Sequence, residues 1–68
     1  MTTFAQRLRE LKKARRVSWP KIAKGTGISE AAIASYAYGK REPRLPYLIW
    51  LADYFGVSLD YLAGRDGP

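Results

Sequence analysis

Cysteine and histidine are both missing from this chain, and that absence excludes more chemistry than any motif adds. Without cysteine there is no disulfide and no thiol nucleophile. Without either residue there is no zinc site of the Cys/His kind and no imidazole base. Acidic residues are also scarce, six Asp and Glu in all, and Glu10, Asp53 and Asp60 form no recognisable acid–base pair or metal cage. The sequence therefore predicts no catalytic residue, no metal, no cofactor and no small-molecule substrate. Long apolar runs are lacking as well. None approaches the roughly 20 residues that cross a bilayer, and the N-terminus lacks the charged-then-apolar order of a signal peptide. The expectation is a soluble, cytoplasmic protein with no membrane partner.

What the chain does have is basic charge and helical patterning. Its 68 residues suffice for one small core and leave no room for a second domain. Twelve Lys and Arg give a formal net charge of +6 and a pI near 10.0. That surplus favours polyanionic partners but also serves ordinary solubility. Thr3 with Gln6 has the form of a capping box, and Phe4, Leu8 and Leu11 recur at helical spacing behind it, so a first helix is expected to about Arg15. Ser18 caps a second helix over about 18–25, with Pro20 in the opening turn, where its missing N–H is harmless. Gly25, Thr26 and Gly27 end that helix early. Ser29 caps a third over about 29–38, closed by Gly39. A fourth, with Pro46 in its first turn, carries Leu45, Leu48, Leu51, Ala52 and Phe55 inward and a second stripe of Tyr47, Trp50 and Tyr54 on another side. A last short helix follows Ser58, with Leu59 and Leu62 inward. The expected unit is residues 1–64, with 65–68 as a tail.

Ser18 to Pro43 thus has the spacing of a helix-turn-helix, the unit that lays its second helix into the DNA major groove. The run Gly27-Ile28-Ser29, the run Gly39-Lys40-Arg41-Glu42-Pro43 and the long run Leu51 to Gly64 resemble the phage-repressor and Cro-type (XRE-like) helix-turn-helix family over about Phe4 to Gly64. The resemblance implies an all-α, compact five-helix bundle that binds duplex DNA, usually as a dimer, and regulates transcription. It also implies that helix 3 turns its outer side to base edges. The sequence departs from the family there. Trp19 replaces the usual phosphate-holding Gln, Thr26 replaces a Leu, and Ala37 replaces the Glu that pairs with helix 1.

The outer side of helix 3 is Glu30, Ala31, Ala34, Ser35 and Tyr38, a set with few of the side chains that hydrogen-bond base edges. Around it stand Trp19, Pro20, Pro46, Tyr47 and Trp50. Binary patterning offers the two indoles no core-facing slot, and aromatic surface of this kind is typical of protein interfaces. The leading expectation is therefore a protein-binding module, self-associating or docking another protein. Its patch would comprise Trp19, Pro20, Ala31, Ala34, Tyr38, Pro46, Tyr47 and Trp50, on a repressor-type scaffold whose surface has the pattern of deliberate redesign. The alternative is a sequence-specific double-stranded DNA-binding transcriptional regulator. It would use Lys21, Lys24, Lys40, Arg41 and Arg44 for backbone attraction, and Glu30, Ser35 and Tyr38 for the bases.

Overall fold

Serine and threonine hydroxyls set where most of the helices begin. The structure, a computed structural model, describes residues 3–65; of the expected tail, 66–68 lie outside those residues. α1 (Phe4–Arg15) starts at Thr3, whose Oγ1 accepts from the Gln6 N–H at 3.2 Å while Gln6 Oε1 accepts from the Thr3 N–H at 2.9 Å. Ser18 caps α2 (Trp19–Thr26), Ser29 caps α3 (Glu30–Ala37) and Ser58 caps α5 (Leu59–Leu62), each hydroxyl accepting one otherwise orphaned N–H at 3.0–3.2 Å. Such caps contribute ~1 kcal/mol apiece. α4 (Leu45–Phe55) begins at Arg44 without a side-chain cap, and Pro46 near its start has no N–H to satisfy. Among the described residues there is no strand, and no helix is long and apolar enough to cross a membrane.

The helices close a ring around one core. α1 packs on α3, α3 on α2, α2 on α4, α4 on α5, and α5 returns to α1. Leu8, Leu11, Ile22, Ile28, Ile33, Tyr36, Ala37, Leu51, Ala52, Phe55 and Leu62 are buried within it. Two residues expected inside are not: Leu45 is 62 % exposed and Leu59 39 %. Each is the first residue of its helix, and Cα–Cβ bonds tilt toward the helix N-terminus, so these side chains lie over the approach to the helix rather than over its packed face.

Two substitutions of familiar supports are compensated locally. The carboxylate missing at Ala37 is replaced by its own backbone, because Arg9 Nη1 donates to the Ala37 carbonyl and joins α1 to the end of α3. A cation at that end also complements the helix dipole. The hydroxyl of Thr26 donates to the Ile22 carbonyl at 2.8 Å and accepts from the Ile28 N–H at 3.3 Å, tying the turn to α2.

The second aromatic stripe of α4 has a structural use. Tyr54 lies against Gly25, where a Cβ would meet ring carbons at 2.3 and 2.8 Å, and both Tyr54 and Tyr47 pack against the core. α4 is thus apolar on two sides because α2 seats on one of them. A methyl at position 25 gains helix propensity of ~1 kcal/mol but must displace that ring, and overpacking costs ~1–3 kcal/mol. Gly25→Ala is expected to lower the melting temperature by several degrees in thermal circular dichroism; an unchanged or raised midpoint would mean that Tyr54 moves aside freely.

Candidate nucleic-acid interface

Helix 3 leaves one side uncovered. Ile33, Tyr36 and Ala37 are buried against the body and Ala32 half-buried, whereas Glu30 and Ala31 are exposed, Ala34 and Ser35 half-buried, and Tyr38 is 60 % exposed at the C-cap. The helix runs 8 residues from Ser29, and the turn before it uses Gly27 at φ 78°, a left-handed conformation that costs a side-chain-bearing residue strain. After it, the N–H groups of Lys40 and Arg41 both donate to the Ser35 carbonyl, at 2.9 and 3.4 Å, which folds the connecting loop back onto α3. Lys40, Arg41 and Arg44 of that loop are exposed, as are Lys21 and Lys24 of α2. Exposed cations therefore lie on the helix before α3 and in the loop after it.

The aromatic residues separate into two pairs. Trp19, half-buried against the core, meets the ring of Tyr38 edge-on at 6.5 Å. Its face is covered by Lys12, whose Nζ stands 4.8 Å from the ring centroid. Tyr47 and Trp50 pair with each other on α4 at 5.2 Å, and Trp50 borders a shallow pocket with Gly25, Thr26, Asp53 and Tyr54 at the far end of α2. No ring contact joins the pairs among the described residues. Pro20 and Pro46 are exposed. Lys12 is brought beside the start of α2; spacing along α1 alone carries no sign of an indole across from it.

An open recognition helix, a cap-and-turn before it and flanking cations define a helix-turn-helix domain. The helix-turn-helix family pattern matches residues 8–62, so the chain belongs to that family. It is 35 % identical over 66 residues, 96 % of its length, to the uncharacterized HTH-type transcriptional regulator YobD of Bacillus subtilis (strain 168). It is 40 % identical over 60 residues, 88 % of its length, to the HTH-type transcriptional regulator AnsR of the same organism. The chain spans 59 % of the first and 52 % of the second. Among solved structures it is similar to the P22 c2 repressor in complex with a synthetic operator, with a TM-score of 0.89 and 26 % identity over 97 % of this chain and all of that one. A transcriptional regulator from Listeria innocua matches with a TM-score of 0.85 and 33 % identity over 97 % of this chain and 62 % of that one. The family is one of non-enzymatic regulators, so the chain is no enzyme.

These likenesses overturn the reading of the chain as a protein-binding module with a redesigned surface. Its relatives are transcriptional regulators, and the repressor that it overlays was crystallised on operator DNA. The physical reason lies in the aromatics. Trp19, Tyr47 and Tyr54 are half-buried against the core and Lys12 stands over the face of Trp19, which leaves only Tyr38 and Trp50 as exposed rings, one in each pair. What remained as a supposed patch is two separate pairs and two exposed prolines.

Proposed function

We propose that this chain is a sequence-specific double-stranded DNA-binding domain of a transcriptional regulator, with α3 entering the major groove. The observation that carries this reading is the overlay of 97 % of the chain on a repressor crystallised with its operator, together with the open, cation-flanked side of α3. Lys21, Lys24, Lys40, Arg41 and Arg44 take the backbone phosphates, which fixes register and supplies salt-dependent affinity without sequence information. Glu30, Ser35 and Tyr38 meet base edges. Ala31 and Ala34 add small apolar surface of the kind that contacts thymine methyl groups. Sequence-dependent DNA shape supplies the rest of the discrimination.

Selection from a random duplex pool at physiological salt tests the reading. A motif should emerge that is bound at least ~10³-fold tighter than random duplex, the lower range for specific regulators. Enrichment of no motif, with uniform weak binding across the pool, would end it.

A further inference from the structure

Glu30 is the acidic residue of the uncovered side of α3, and its place there is costly. It is exposed at the first position of the helix, while the exposed cations Lys21 and Lys24 lie on the helix before α3 and Lys40, Arg41 and Arg44 in the loop after it. Among the described residues it makes no hydrogen bond or ion pair to any of them. A carboxylate facing duplex DNA is repelled by the phosphates that those cations attract, so it weakens binding to every sequence unless a base edge repays it. Ionised, it is an acceptor only. In the major groove the acceptors of guanine and of thymine repel it, adenine offers a donor beside an acceptor, and cytosine presents the N4 amine as a donor alone.

From this we infer that Glu30 is a specificity-determining residue that accepts a hydrogen bond from a cytosine N4 amine and rejects pairs that present acceptors at that position. The inference rests on the DNA-binding reading above. It makes Glu30 a discriminator rather than a source of affinity: specificity is a difference of affinities, and a repulsive group against wrong partners raises it while lowering binding to all of them. Its neighbours fit the role. Ala31, one residue on, and Ala34, one turn on along the same side, are too short to compete for the same base edge or to hold the carboxylate away from it. A purely structural role is the alternative, since a carboxylate in the first turn also complements the helix dipole. The two roles differ in what removal does to DNA.

The test repeats the duplex selection with wild-type protein, Glu30→Ala and Glu30→Gln, and measures each protein against the wild-type motif, its single-position variants and random duplex. Wild type should prefer cytosine at one position by about tenfold or more. Glu30→Ala should lose that preference alone and bind random duplex several-fold more tightly, the gain shrinking as salt is raised. Glu30→Gln, which adds donors at nearly the same size, should move the preference to adenine. It is also the informative variant if the alanine protein folds poorly. Unchanged base preferences in both variants, with only a lower melting temperature, would overturn the inference and leave Glu30 a helix-end residue. Weaker binding of Glu30→Ala to random duplex would overturn it too. Enrichment of no motif by the wild-type protein would instead remove the DNA-binding reading on which it stands.

Discussion

Tyr36→Ala is expected to leave the domain largely unfolded at 37 °C. Tyr36 is 2 % exposed and heads the fully buried side chains by volume. Its ring meets Phe4 edge-on at 6.4 Å, which ties the inner side of α3 to the first turn of α1. Truncating a buried large aromatic costs ~3–5 kcal/mol through lost transfer energy and the cavity left behind. A domain of this size rarely has more than ~3–5 kcal/mol in hand, so one substitution removes most of the stability. Thermal circular dichroism and urea titration measure this directly. Tyr36→Phe keeps the ring and should lose no more than ~1 kcal/mol, the usual worth of one hydrogen-bonding group. A folded, cooperative Tyr36→Ala protein would show that the core closes over the gap, contrary to the packing described.

The largest effect on DNA should come from the loop after α3. On the proposed reading, changing Lys40, Arg41 and Arg44 together to Gln removes three phosphate contacts. Because each contributes about 0.9 to the slope of log affinity against log salt, the slope should become shallower by about 2.7. At physiological salt that amounts to a loss of roughly two orders of magnitude, spread evenly over specific and random duplex. The three side chains are exposed and outside the core, so the melting temperature should change little. Titrations of labelled duplex across a salt series give the slope, and a change below about one unit would place the loop away from the backbone.

Much of the architecture was legible in the sequence because it is written locally. Thr3, Ser18, Ser29 and Ser58 cap the helices that their positions suggest, and the buried side of α3 follows from spacing at roughly 100° per residue. Leu45 and Leu59 were misplaced because periodicity assigns a residue to a side of a helix and says nothing about whether the helix end overhangs its neighbours. The aromatic stripe of α4 misled for a related reason. A pattern read on one helix shows that two sides are apolar, but only the packed structure shows that Gly25 leaves room for Tyr54 and that α2 occupies the second side. Few hydrogen-bonding tips on α3 do not amount to a loss of DNA binding, because phosphate contacts, apolar contacts and shape need none of them. Of the aromatics counted as free surface, Trp19 and Tyr47 are half-buried against the core, whereas Tyr38 and Trp50 are exposed.

The contact between Gly25 and Tyr54 also acts as a spacer of zero thickness. α2 carries α3 through the short turn at Gly27, whereas Arg44, the last of the loop cations, is anchored at the head of α4. On the proposed reading, the angle between α2 and α4 bears on how far the base-reading side chains of α3 stand from Arg44. A methyl group at position 25 would work as a wedge in that angle. On the same reading it would alter which bases and phosphates can be met at once, and so would change operator preference from a position inside the α2–α4 contact.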